Sequence, residues 1–287
     1  MVQEPLKNFI PKFISVLEKR GCSPSTILAY RSDLEQLLDF LQKRNKVVPE
    51  QIYSTDIENF RNTLASQKYT PKSISRKLNA IKTFFRWLIS EKQIISNPVE
   101  GVAHPRIEYT APKHLSQLEY RALRDVVRDD LRILTIIELI LQTGMRISEV
   151  ANLKLENVKE NEITIEAYAS QPERKIPLNK RAKEAIGNYL KIRPKTSSPF
   201  FFVSKNGQPL AIRNIRFSID KYMQQAEITK YTINDLRTTF IVENLKAGVD
   251  LILISQVAGH RRISTTEHYL ALAGIKSPGK KQELVEL

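Results

Sequence analysis

From residue 23 the chain reads SPSTILAYRSDLEQLLDFL, with apolar side chains at Ile27, Tyr30, Leu34, Leu37, Leu38 and Leu41 and polar ones between them. Apolar positions three and four apart line one face of a helix. Ser23 is placed to cap that helix and Pro24 to open it. Thr55 and Glu58 have capping-box spacing ahead of another helix. The stretch PKSISRKLNAIKTFFRWLI carries Ile74, Leu78, Ile81, Phe85 and Leu88 as one further stripe. Its aromatics Phe84, Phe85 and Trp87 suit helix packing better than base stacking. The pattern predicts a bundle of about four helices over the first hundred residues.

The helical period stops over GVAHPRIEYTAPK, residues 101–113, which holds a Gly and two Pro. It resumes with Ser116 and Glu119, again spaced as a capping box. LRILTIIELILQTG follows, apolar nearly all round and so predicted to be buried, and ends at Gly144. MRISEVANL begins another helix almost at once. Then the period changes. NEITIEAY alternates like a strand, RKIPL and PFFFVS suggest two more, and helices return afterwards. The fold class is therefore mainly α, with a small antiparallel sheet in the second half. We set domains at 1–103 and 114–276, a linker at 104–113 and a tail at 277–287.

Composition narrows the partners. With 287 residues the chain is long enough for two cores. It has no apolar run of about 18 residues or more and no leader-like start, which predicts neither a membrane span nor secretion. A single cysteine, Cys22, excludes an internal disulfide framework and fits a reducing cytoplasm. Lys and Arg number 45 against 31 Asp and Glu, a net charge of +14. Such an excess favours a polyanion, nucleic acid before a membrane surface. Between residues 61 and 90 every Lys, Arg, Asp or Glu is basic. Lys72, Arg76, Lys77 and Lys82 are the candidate phosphate contacts there, against the plainer reading of a solvated helix face. No P-loop, zinc-ligand cluster or HExxH pattern appears, so no metal or cofactor is expected.

Two arginines stand where anions bind. Arg146 falls at a helix start, where free N–H groups and the helix dipole favour negative charge. In YTINDLRTTF either Thr232 or Asn234 is placed to cap a helix, with Arg237 in its first turn. Together they could fork onto one phosphate, and separately each is an ordinary surface arginine. Spacing alone leaves that open.

TGMRISEVANL, NDLRTTF, AGHRRISTTEHY and SPSTILAYRSDLEQLLDFL, taken together, resemble the tyrosine recombinase (phage integrase) family, in particular its Xer-type members. The resemblance spans nearly the whole chain. It lies in order and gaps: 91 residues from Arg146 to Arg237, 23 more to His260, and nine to Tyr269. It implies an N-terminal helical, SAM-like core-binding domain and a mixed α+β catalytic domain. It further implies site-specific strand exchange on double-stranded DNA through a 3′-phosphotyrosyl link, by a protein free as monomer or dimer and tetrameric on synapsed DNA. A second recombinase could share the site. Tyr269 matches the nucleophile, Arg146 and Arg237 the phosphate clamp, His260 a phosphate hydrogen-bond partner, and Glu149 a supporting acidic position. The tail matches a segment that docks on a neighbouring protomer.

Two positions depart from that pattern. Asn234 stands where the family has His, and an amide cannot shuttle a proton. Ala169 stands where the family has a Lys that serves as general acid, a role typically worth about 10²–10⁴ in rate. Whether Ala169 is natural or engineered, and whether Arg174 or Lys175 substitutes, stays open on the sequence. So does the alternative of a weakened, recombinase-derived DNA-binding protein. The target, the host, and the choice among chromosome dimer resolution, integration and inversion are not encoded legibly. His104, His114 and His268 are given no role. Because both halves are basic, residues 1–103 and 114–287 made separately should each bind a target duplex more weakly than the whole. In gel-shift titrations log affinity should fall steeply with salt, and a salt-independent affinity would contradict this.

Overall fold

A computed structural model describes residues 4–108, 111–168, 171–275 and 279–287. The chain forms two compact units, Met1–Tyr109 and Thr110–Leu287.

In the first unit, α1 (Leu6–Lys19), α2 (Pro24–Gln42), α3 (Ser54–Ser66) and α4 (Pro71–Ser90) enclose one core. Ser23 caps α2 by accepting the Thr26 N–H, and Pro24 opens it. The cap of α3 differs from the expectation at Thr55 and Glu58. The Asp56 carboxylate accepts the Tyr53 N–H at 2.9 Å and also binds Lys46, so the helix starts two residues earlier. The α4 aromatics are core, as expected: Phe84 and Phe85 are fully buried, and Phe84 packs edge-on to Phe13 with centroids 5.3 Å apart.

The basic stretch is not one uniform face. Lys77 is only 6% exposed, and its ammonium lies 2.7 Å from the buried Asp33 carboxylate. Arg76 forks onto the same carboxylate while keeping about half its side chain in solvent. Placing Lys77 among the phosphate contacts is therefore corrected: its charge is spent joining α4 to α2. Lys72 is exposed and Lys82 half-buried. Removing one partner of a buried ion pair strands the other, so Asp33→Ala should destabilise the first unit by about 3–5 kcal/mol in urea denaturation of the full chain.

The second unit is built from α5 (Gln117–Val127), α6 (Leu131–Thr143), α7 (Ile147–Ala151), β1 (Glu162–Ile165), β2 (Arg174–Pro177) and α8 (Lys180–Ile192). It continues with α9 (Ile212–Gln225), α10 (Ile233–Lys246), α11 (Leu251–Ala258), α12 (Ile263–Glu267) and α13 (Leu270–Ala273). The Ser116–Glu119 capping box forms as expected. Helix α6 is apolar nearly all round because it is the centre of the core, with Ile136, Ile137, Leu139 and Leu141 fully buried.

The sheet has two strands among the described residues, β1 antiparallel to β2, with Ile163 opposite Ile176 and Ile165 opposite Arg174. The strand expected from PFFFVS does not form. Phe201, Phe202 and Val203 are fully buried, but the backbone around them bonds in several directions. Phe201 N–H goes to Leu153, and the Arg193 guanidinium takes the carbonyls of Ser198, Phe200 and Phe201. A short apolar run fits a buried loop as well as a buried strand, and here the arginine decides.

The resemblance implies that the tail docks on a neighbouring protomer. Of 277–287, residues 277 and 278 lie outside the described structure; the others pack on their own unit. Lys281 exchanges backbone hydrogen bonds with Gly248 and Asp250, Val285 N–H donates to Asn244 Oδ1 at 2.9 Å, and Leu287 is buried.

Candidate active site

Helix α6 ends at Gly144, whose φ of +64° suits glycine. A Cβ there would sit 2.5 Å from the Phe240 ring, so close packing of α10 needs glycine for a second reason. Two residues on, Arg146 caps α7, and its N–H donates to Glu149 Oε2 at 2.8 Å. The Arg146 side chain turns back onto the same carboxylate through Nη1, at 2.9 Å.

Glu149 also holds a second arginine. Arg174 of β2 forks onto it, Nη1 to Oε1 at 2.9 Å and Nη2 to Oε2 at 2.8 Å. Burial alone would push the Glu149 carboxyl up, yet the Arg174 and Arg146 hydrogen bonds and charges outweigh it and hold it below its ordinary range. Glu149 is thus an anion between two guanidiniums.

The guanidiniums share one further anchor, the end of α11. Arg174 Nε donates to Val257 O at 2.9 Å, Arg237 Nη2 to Ala258 O at 2.7 Å, and Arg146 Nη2 to Gly259 O at 2.7 Å. Arg237 also donates to Gly144 O. The last carbonyls of a helix lack intrahelical partners and carry the negative end of its dipole, so cations gather there. Burial first, then the charges of Arg146 and Arg174, lower the Arg237 pKa to about 10, which leaves it charged at neutral pH. Three cations and one carboxylate leave a local excess of positive charge, suited to a phosphate.

Helix α11 ends in a Schellman turn. Gly259 has φ +68°, its N–H reaches Gln256 O, and His260 N–H reaches Ser255 O at 2.9 Å. A Cβ on Gly259 would lie 2.8 Å from the Arg174 guanidinium, so the same glycine turns the chain and admits the arginine. That turn presents His260. Its Nδ1 is 2.7 Å from Thr266 Oγ1, and its ring lies parallel to the Tyr269 ring with centroids 6.2 Å apart. Burial, then Arg237, Arg146 and Arg174, lower the His260 pKa to about 4.

Of the residues singled out from sequence, Arg146, Glu149, Arg237, His260 and Tyr269 therefore come together. Tyr269 is not inside a helix but at the break between α12 and α13, half-buried against the core. Arg237 lies past the first turn of α10, because the cap is Thr232 and Ile233 is the first helical residue. Asn234 is exposed on that first turn, three residues before Arg237 and so on the same helix face. Ala169 lies outside the described residues. Neither neighbour stands ready to replace a lysine there: Arg174 is committed to Glu149, and Lys175 points to the other face of β2, where it pairs with Glu162. Sequence offers Arg174 only as a stand-in for the missing lysine, and gives Thr266 no role. Arg174 lies 25 residues from Glu149, and no local pattern marks such a pair. No cluster of three His, Cys, Asp or Glu side chains suited to a metal occurs among the described residues.

Comparison with known proteins gives the family. Residues 113–274 match the Phage integrase family, and residues 10–92 match the Phage integrase, N-terminal SAM-like domain. The chain belongs to the phage integrase family and is a Xer-like tyrosine recombinase. Its relatives include Tyrosine recombinase XerC of Thermodesulfovibrio yellowstonii, 30% identical over 91% of this chain and 90% of that one. XerC of Staphylococcus carnosus is 29% identical over 88% of each. Among solved structures, XerA recombinase is 27% identical with a TM-score of 0.52, covering 92% of both chains. A lambda integrase dimer bound to a COC′ core site has the same fold at 16% identity, with a TM-score of 0.75 over 98% of this chain and 81% of that one.

The His260 shift gives a pH signature. Its folded pKa of about 4 lies below the ordinary 6.5, so this contribution to stability is complete above pH 6.5 and is lost as pH falls towards 4. Thermal denaturation across that window should show a loss of stability that is smaller in His260→Gln. An unchanged pH dependence in the variant would refute the burial of a neutral imidazole.

Proposed function

We propose that Arg146 and Arg237 clamp one phosphodiester of double-stranded DNA and that Tyr269 attacks its phosphorus. The observation carrying this is the convergence of both guanidiniums on the end of α11, beside the turn that stacks His260 on Tyr269. In the proposed step a bond forms between Tyr269 Oη and phosphorus, and the bond to the 5′ oxygen breaks. The products are a 3′-phosphotyrosyl link and a 5′-hydroxyl end. One ester replaces another of similar energy, so a second 5′-hydroxyl can reverse the attack on a new strand without ATP. The arginines act by neutralising the charge that grows on the non-bridging oxygens. The tyrosine proton must leave as the bond forms, and a proton must reach the departing 5′ oxygen. Asn234 can hydrogen-bond a phosphate oxygen but supplies no proton shuttle.

Site-specific DNA recombination is the activity of this protein. The lambda integrase structures include a dimer on a core site and a tetramer bound to a Holliday junction, and we propose the same succession of assemblies here. A cytoplasmic setting is proposed on the single cysteine and on the finding that no helix among the described residues is long and apolar enough to cross a membrane.

The test uses a nicked duplex carrying a site first selected from a random pool, with covalent adduct followed over time. Tyr269→Phe should abolish the adduct and leave binding nearly intact, since only one hydroxyl is lost. Arg237→Lys should slow adduct formation by about 10²–10³, because a lysine cannot fork onto the phosphate. An adduct formed by Tyr269→Phe would remove the nucleophile assignment. Specific binding without any wild-type adduct would instead leave a DNA-binding protein.

A further inference from the structure

We propose that Thr266 is a positioning residue that fixes the tautomer of His260, placing the ring proton on Nε2. His260 is then a hydrogen-bond donor to the phosphate and is not the group that takes the tyrosine proton. The proposal rests on the reading of Tyr269 as nucleophile.

Thr266 differs from the other buried helical threonines of this unit. Thr135 and Thr239 each donate their hydroxyl to the carbonyl four residues earlier, at 2.7 Å, and Thr143 does the same. That back-bond is the ordinary way to satisfy a threonine inside a helix. Thr266 is fully buried on α12 and does not make it. Its hydroxyl has one hydrogen-bond partner among the described residues, His260 Nδ1 at 2.7 Å.

A hydroxyl can donate or accept, and a neutral imidazole has one N–H and one lone pair. Were Nδ1 the donor, the Thr266 hydroxyl hydrogen would be buried without an acceptor, an arrangement native proteins avoid. Thr266 therefore donates, Nδ1 accepts, and the proton resides on Nε2. Burial first, and then three cations, keep the ring neutral at pH 7: Arg237 from α10, Arg146 ahead of α7 and Arg174 from β2. The carboxylate of that cluster, Glu149, is already bound by Arg146 and Arg174.

The consequence falls on proton transfer. With Nδ1 engaged and Nε2 protonated, His260 has no free lone pair and cannot accept the Tyr269 proton. Asn234 stands where the family resemblance places a His, and an amide is no base at neutral pH. Neither residue supplies an imidazole base, so the tyrosine proton passes to a phosphate oxygen or to solvent.

The tautomer is read directly by two-bond ¹H–¹⁵N correlation spectra of the histidine-labelled full chain at pH 7. His260→Gln identifies which of the four histidine signals belongs to residue 260. In the wild type Nδ1 should be pyridine-like and Nε2 pyrrole-like. Thr266→Val, close in shape but without a hydroxyl, should mix the tautomers and slow adduct formation on saturating DNA by about tenfold, the worth of roughly one hydrogen bond. Thr266→Ser should restore both. A pyrrole-like Nδ1 in the wild type overturns the proposal, as does a Thr266→Val protein with unchanged tautomer and rate. Should Thr266→Val not fold, the wild-type spectrum and the Thr266→Ser rate still decide. An adduct in Tyr269→Phe alongside the expected wild-type spectrum would sink the nucleophile assignment and leave the tautomer standing.

Discussion

The second unit depends on the carbonyl end of one eight-residue helix. Val257, Ala258 and Gly259 each accept from a different guanidinium, and those arginines come from β2, α10 and the cap of α7. Like charges so close repel, and two things hold them: the dipole of α11 and the shared carboxylate of Glu149. Such a cluster is costly to assemble in a protein interior and costly to break once assembled. It is also preorganised. On the proposed reading, a phosphate there meets guanidiniums already held in place and already stripped of part of their water, so little rearrangement is needed as charge develops.

Much of the helical architecture was legible because its causes are local. The stripe of α4 is set by residues three and four apart, and the Ser116–Glu119 box by two side chains within one turn. Where competing local signals existed, the choice was less secure. Asp56 displaced the box expected at Thr55 and Glu58 by offering a carboxylate to the Tyr53 N–H. Thr232 rather than Asn234 capped α10 and carried Arg237 beyond the first turn. PFFFVS became a buried loop because Arg193, several residues earlier in the chain, claimed its carbonyls.

The site was legible in a different way. Spacing brought Arg146, Arg237, His260 and Tyr269 forward only through resemblance to a family, since nothing in a linear pattern shows that guanidiniums 91 residues apart converge. What stayed hidden were contacts whose partners are remote and whose residue types are common. Arg174 reads as one more basic residue until its forked pairing to Glu149 is seen. Lys77 reads as a surface charge until Asp33, 44 residues away, is found beneath it. Charge counts locate an electrostatic preference; they do not say which cations are free to express it.

The end of α11 has a consequence for synthesis. The carbonyls that gather the arginines belong to residues 257–259, and the ring stacked on His260 belongs to residue 269. A ribosome makes Arg146, Glu149, Arg174 and Arg237 before the scaffold that holds them together exists. A nascent chain can therefore pair Arg146 and Arg174 through Glu149 while Arg237 still lacks its α11 carbonyl. On the proposed role of Tyr269, strand breakage waits until the final stretch leaves the exit tunnel. On that reading, a product truncated before that turn keeps the basic first unit and lacks the group that wounds DNA.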